Sequence, residues 1–276
     1  MTDALFAVKK IIVTTPPPSR ALEQRPGDTI AVWFSCGAAS AVAAKRTLEL
    51  YPNCIVRIIN TPIAEEDVDN LRFKADVQKW LGVEIETATN SKWPSNSAVD
   101  VWEKRQYMAG IAGAPCTKEL KREARWSWEA ANHHDWLVLG FTYDEQDRAQ
   151  AFQKTERNNF LPVLVNEKLT KSDCFKIITD AGLKLPRSYD FFVNANCVGC
   201  VKSNSPAYWA MVRREYPDVF QQRSEQSRQI GARLLKVKKT RLFLDELPAH
   251  TKPRKVKSLF DCGLFCEQPL PRSKKT

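Results

Sequence analysis

Apolar residues in this chain fall into short runs of strand length, and stretches of helical period lie between them. Ile30–Phe34 is the first run; it empties into Ser35-Cys36-Gly37-Ala38-Ala39-Ser40, and helical spacing follows through Leu50 to a stop at Pro52. A second β-branched run, Cys54–Ile59, ends at Asn60-Thr61-Pro62. Glu65–Leu81 reads as a helix: carboxylates crowd its first turn, Val68, Leu71 and Ala75 share a face, and Gly82 follows its end. Val83–Thr87 is a short third strand. Helices near Ser97–Met108 and Thr117–Asn132 precede another buried-looking strand, Trp136–Gly140. Further helices are expected over Asp144–Gln153, Thr170–Ala181, Pro206–Tyr216 and about Val219–Gly231.

Alternation of strand and helix from residue 30 to about 182 predicts an α/β fold. Its sheet is a mostly parallel, doubly wound one, covered on both faces. Ligands in such folds sit beyond the carboxyl ends of the strands. Ser35–Ser40, Asn60–Asp67 and Gly140–Arg148 each follow a strand directly, so they are expected to share one crevice. The organisation reads as an arm over 1–28, an α/β domain over 29–186, a cysteine-bearing helical region over 187–247 and a basic tail over 248–276. The proline run in the arm, Pro16-Pro17-Pro18, suits a loosely ordered or wrap-around segment.

The 276 residues, 43% hydrophobic and including 8 Trp, suffice for a sizeable core. No apolar run approaches the ~20 residues that span a bilayer, and no secretory signal is visible, so the expectation is a cytoplasmic protein with no membrane contact. Eight cysteines in a reducing compartment point to metal or catalytic thiols rather than disulfides. The net charge of +10 favours anionic partners, and the excess gathers in Arg233–Lys239, Lys252–Lys257 and the tail. Such runs are commonly just solvated, but their concentration favours a polyanion contact, tRNA or DNA, through the basic C-terminal region.

The loop after the first strand has the composition of an anion cradle. Small residues let main-chain N–H groups approach an anion, and the following helix N-terminus adds partial positive charge. Ser35, Cys36, Gly37 and Ser40 are the candidate contacts, against the plainer reading of a tight packing turn. The pattern S-x-G-x-x-S matches neither the P-loop nor the dinucleotide fingerprint. Cys197-Val198-Gly199-Cys200 has the spacing for one metal ion or one edge of a cluster; the strand–CxxC–helix setting of a thioredoxin motif is missing. Cys36, Cys54 and Cys174 read as small core fillers, and His133 and His134 as capping groups at a helix end.

Taken together, these segments resemble the phosphoadenosine phosphosulfate (PAPS) reductase-like family of the adenine nucleotide alpha-hydrolase (PP-loop) superfamily. Ser35–Ser40 resembles its phosphate loop, Asn60-Thr61-Pro62-Ile63-Ala64-Glu65-Glu66 its second loop, and Gly140–Arg148 its third, a glycine followed by an acid and an arginine. Pro115-Cys116-Thr117-Lys118-Glu119-Leu120-Lys121 is similar to the family's cysteine before a basic helix. The resemblance implies an adenine nucleotide (PAPS, its analogue APS lacking the 3′-phosphate, or ATP). It would be held by the cradle, Asn60, Thr61 and Gly140, with Lys118, Lys121 and Arg148 neutralising charge and Glu145 orienting Arg148 at i,i+3 spacing. It also implies a [4Fe–4S] cluster on Cys116, Cys197, Cys200 and Cys266. The alternative is zinc on Cys197, Cys200, Cys262 and Cys266. Asp261-Cys262-Gly263-Leu264-Phe265 resembles the reductases' C-terminal nucleophile segment, which makes Cys262 the catalytic candidate, although Phe265 stands where the family has histidine.

Two departures bear on function. Ala38 and Ala39 stand where many ATP-cleaving members carry an aspartate, and Pro62 replaces a glycine. A neutral cradle suits a sulfate or phosphate ester better than Mg²⁺-dependent ATP cleavage. Three functions are therefore expected as alternatives. The first is a thiol- or iron–sulfur-dependent sulfonucleotide reductase served by a thioredoxin-like reductant; the second is an ATP-dependent sulfur transferase acting on tRNA or DNA. The third is a non-catalytic nucleotide-binding subunit of a nucleoprotein complex.

Overall fold

A computed structural model describes residues 23–110 and 113–256. Cys262, Cys266 and nearly all of the predicted arm lie outside the described residues. Five parallel strands form the central sheet in the order β3-β2-β1-β4-β5: β1 Thr29–Phe34, β2 Ile55–Asn60, β3 Ile85–Thr87, β4 Trp136–Val138 and β5 Phe160–Leu161. The predicted α/β, doubly wound architecture is what the chain adopts.

β1 shows why the sheet is buried on both faces. Ile30, Val32 and Phe34 point into one core, with α1 (Ala38–Leu50) packed through Ala38, Ala41 and Val42; Ala31 and Trp33 point into another with Leu137 and Phe160. Period-2 alternation thus feeds two apolar layers, as a parallel sheet covered by helices requires. Strand order reverses between β1 and β4, so the loops after these strands flank the switch point where ligands bind in such sheets.

A third core lies outside the sheet. The helices Pro206–Glu215 and Pro217–Ile230 and the hairpin β6–β7 (Leu235–Val237, Thr240–Leu242) pack there with α3 (Ala98–Arg105) and Leu120. Trp93–Met108 and Ala114–Leu120 therefore share a core with the C-terminal region rather than with the strands they separate. Among the described residues, no helix is long and apolar enough to cross a membrane.

Several predicted elements need correction. The helix expected from Glu65 begins at Asp69, because the Glu65 carboxylate leaves its own segment to cap α3, accepting from the Ser97 hydroxyl (2.7 Å) and the Ala98 amide (2.7 Å). Val68 and Leu71 do not face the core; they are 75% and 72% exposed, and α2 (Asp69–Leu81) buries Phe73, Val77 and Leu81 instead. β4 stops at Val138, two residues before the predicted end. The Arg233–Lys239 run, expected to be a solvated segment, carries the first strand and the turn of the β6–β7 hairpin. Asn132 caps α4 (Glu123–Ala131) by donating from its side-chain amide to the Trp128 carbonyl (2.8 Å); of the two histidines, His134 Nδ1 lies 3.3 Å from the Asn132 carbonyl at that end, whereas His133 turns to Asp135 instead.

Candidate functional site

The loop after β1 is held open by bonds within itself. Ser40 Oγ accepts from the Ser35 amide (3.1 Å) and donates to the Gly37 carbonyl (2.9 Å), while Cys36 adopts a left-handed φ of 55°. Gly37 precedes α1 with no side-chain cap, and α1 has no acidic residue in its first turn. One cap comes from a distance: the Ala38 amide donates to the Tyr189 hydroxyl at 3.1 Å. The amides of Cys36, Gly37 and Ala39 have no partner among the described residues. Ser35 is exposed and Gly37 half-buried, so the loop opens to solvent at the strand ends. This arrangement offers main-chain N–H groups and a helix N-terminus to an anion. Burial pushes the Tyr189 phenol up to about 12, so it keeps its proton at neutral pH.

The other two predicted loops meet the first. Asn60 is buried and donates from Nδ2 to the Phe34 carbonyl (3.0 Å) and to Cys36 Sγ (3.7 Å), tying the ends of β1 and β2 together. Thr61 is buried beside it. Gly140 abuts the first turn of α1 so closely that a Cβ there would stand 2.8 Å from the Ser40 amide nitrogen. Glycine is required by that approach, not by any turn geometry. Glu145 accepts from Arg148 at 2.9 Å, the i,i+3 pair that the spacing predicts, and the guanidinium lies over Phe141.

Cys116, Cys197 and Cys200 line one small cavity of about 20 Å³ together with Lys121, Lys202 and an apolar wall that includes Ile63, Trp102 and Val201. Three segments far apart in sequence build it. Cys116 enters on a wide π-helical turn, Thr117–Arg122, a geometry that recurs at functional sites. Cys197–Cys200 forms a turn fixed by Tyr208, whose buried hydroxyl accepts from the Cys200 amide at 2.8 Å. Gly199 takes a left-handed φ of 67°, and a Cβ there would stand 2.9 Å from Val219 Cγ1. The Val198 amide donates to the Glu65 carbonyl (2.9 Å), joining this turn to the second loop. Under it lies Arg223, 1% exposed, its guanidinium 4.7 Å over the Trp102 ring.

Lys121 connects the cavity to the anion loop. Its Nζ is 3.7 Å from a Glu66 carboxylate oxygen, and both side chains are almost wholly buried. Burial raises the Glu66 carboxyl above the usual range, opposed by the Lys121 ammonium and the Asn70 amide. The charges of Glu66 and Lys121 also reach Cys36, whose thiol burial drives far above its ordinary value. Cys36 is therefore a protonated packing residue, as is Cys174, pushed up to about 12 by burial. Lys118, on the same π-helical turn, is exposed.

Sulfur donors alone, in a mostly apolar wall with two ammonium groups beside them, suit an anionic cluster. Among the described residues no three His, Cys, Asp or Glu side chains form a group able to hold a metal ion. A cluster takes its thiolates on separate irons, whereas a tetrahedral zinc needs four ligands around one point. Two of the four expected zinc ligands, Cys262 and Cys266, lie outside the described residues.

Sequence reasoning missed Tyr189, Glu66, Tyr208 and Arg223. Tyr189, Glu66 and Arg223 act through contacts of long sequence separation that periodicity cannot reveal, whereas Tyr208 acts across eight residues on Cys200. Compared with protein-family models and with curated proteins, the chain matches none.

Proposed function

We propose that the chain binds an adenine sulfonucleotide at the switch point and reduces it, as a PAPS reductase-like enzyme carrying a [4Fe–4S] cluster on Cys116, Cys197 and Cys200. One observation carries this reading: the buried Lys121–Glu66 pair, whose lysine lines the cysteine cavity, while its charges reach the anion loop. Chemistry that couples a bound anion to sulfur ligands needs that adjacency.

Residue roles follow from position. The amides of Cys36, Gly37 and Ala39 grip the nucleotide's terminal anion, and the protonated Tyr189 hydroxyl adds a donor. Lys121 supplies positive charge where a sulfonate's negative charge gathers. The cluster, when bound, supplies a redox-active anionic centre beside the nucleotide. Burial raises the thiols of Cys36, Cys174 and Cys54, and the resemblance makes Cys262, outside the described residues, the nucleophile. Its thiolate attacks the sulfonate sulfur and the S–O bond to the nucleotide breaks. AMP, or adenosine 3′,5′-bisphosphate, leaves with the bonding electrons. A dithiol reductant of thioredoxin type then attacks the cysteine sulfur, releasing sulfite and forming a mixed disulfide.

A thermal-shift panel of APS, PAPS, AMP and ATP tests the reading. A ligand at about 100 times its dissociation constant adds roughly 2.7 kcal/mol of stability. The expected order places APS or PAPS above AMP, and AMP above ATP. A shift with ATP alone would favour the sulfur-transferase alternative and overturn this one.

A further inference from the structure

The β6–β7 hairpin holds its charge against local preference in two ways. Lys236 stands directly opposite Arg241 on the solvent face of the ribbon, while Leu235 and Leu242 pair towards the C-terminal core. Like charges facing each other across two strands are destabilising. Lys238, first of the two turn residues between Val237 and Thr240, has a left-handed φ of 54°, a conformation that glycine or asparagine adopts at less cost. Lys236, Lys238, Lys239 and Arg241 are exposed, and the nearby carboxylates of Asp245 and Glu246 are engaged by Arg228.

The basic face extends beyond the ribbon. The Lys236 amide donates to the Asn204 carbonyl (2.9 Å), and the Arg254 amide to the Ala207 carbonyl (3.4 Å), so both segments flank the stretch that leads into the helix Pro206–Glu215. The turn just before that stretch is closed at Ser203, whose amide donates to the Cys200 carbonyl (3.0 Å). Cations from the hairpin and from the extended segment around Arg254 thus border the loop that carries the cysteine turn.

We propose that this face binds duplex DNA, with the hairpin tip entering the major groove and the flanking cations contacting phosphates. A two-stranded ribbon fits the major groove of B-form DNA, whereas that of A-form RNA is too deep and narrow for side chains to read. The ribbon tip has no apolar side chain for membrane insertion, and its outer face has no apolar anchor for a peptide. This surface is separate from the proposed nucleotide site and does not depend on that reading.

Fluorescence anisotropy of the full chain with a labelled DNA duplex, a matching RNA duplex and a polyglutamate competitor tests it across a salt series. The DNA duplex is expected to bind tightest, with log K falling linearly in log salt. The variant K236Q/K238N/K239Q/R241Q should bind DNA at least tenfold more weakly, and each lost phosphate contact should flatten the slope by about 0.9. Its melting temperature should equal or slightly exceed the parent's, because the facing like charges and the left-handed lysine are relieved, and its nucleotide-induced shift should match the parent's, which separates this surface from the nucleotide site. Unchanged DNA binding by the folded variant, equal binding of RNA, or equal competition by polyglutamate would overturn the proposal.

Discussion

The Tyr189 hydroxyl stands 3.1 Å from the amide of Ala38, across 151 residues of chain, and supplies the cap that the first helix lacks in its own sequence. Y189F removes that acceptor and leaves the amide unsatisfied. The expected cost in the ligand-free protein is about 1 kcal/mol. An anion in the loop offers the same amide a new acceptor, so saturating nucleotide should narrow the gap between Y189F and wild type. Chemical denaturation with and without AMP checks this; an equal gap in both states would show that Tyr189 and the ligand do not share the loop.

Gly140 makes the closest backbone approach at the switch point. G140A places a methyl group 2.8 Å from the Ser40 nitrogen and 2.9 Å from its Cα, with backbone atoms that cannot swing aside. Overpacking of this kind costs about 1–3 kcal/mol. Urea denaturation should register that loss, accompanied by weaker nucleotide binding, because the strained atoms belong to the anion loop itself.

Lys121 and Glu66 should behave as a coupled buried pair. K121M leaves a buried carboxylate without its ammonium, at an expected cost of about 3–5 kcal/mol. Adding E66Q removes the uncompensated charge, so the double variant should be more stable than K121M alone. A double-mutant cycle by thermal denaturation measures the coupling; additive losses would show that the two side chains do not interact.

Asp69 gives an acid-range prediction. The Arg72 guanidinium beside it and the Arg187 amide hold its carboxyl at about 2, below the ordinary 3.8. A depressed carboxyl stabilises the fold above its unfolded value, and the contribution is lost as pH falls from 3.8 towards 2. The pair is partly solvent-screened, so the contribution is about 1 kcal/mol at most. Wild type should exceed D69N in stability near neutral pH, and urea midpoints should converge as pH drops through that window.

The sheet was legible because its strands are buried on both faces and interrupted by Gly, Pro and Asn. Ile30–Phe34 needs no partner information to be read as a parallel strand. The loops at the strand ends were legible for the same reason, since each follows an apolar run. The α2 face was misread because Val68 and Leu71 satisfy helical spacing while facing solvent; the periodicity of Phe73, Val77 and Leu81 is equally good, and only packing chooses between them. The hairpin was hidden by its own charge: alternating lysines among Leu235 and Val237 look like a solvated run unless the pairing with Thr240–Leu242 is known. Only the resemblance grouped Cys116 with Cys197 and Cys200; periodicity does not, because Cys116 and Cys197 lie 81 positions apart and meet through the third core.

Anaerobic purification followed by iron, acid-labile sulfide and zinc analysis tests the central claim most directly. Iron and sulfide are expected in equal amounts, both lost when Cys116, Cys197 and Cys200 are replaced together by serine in a variant that keeps its fold. Zinc without sulfide, or iron and sulfide retained by the triple variant, would contradict it.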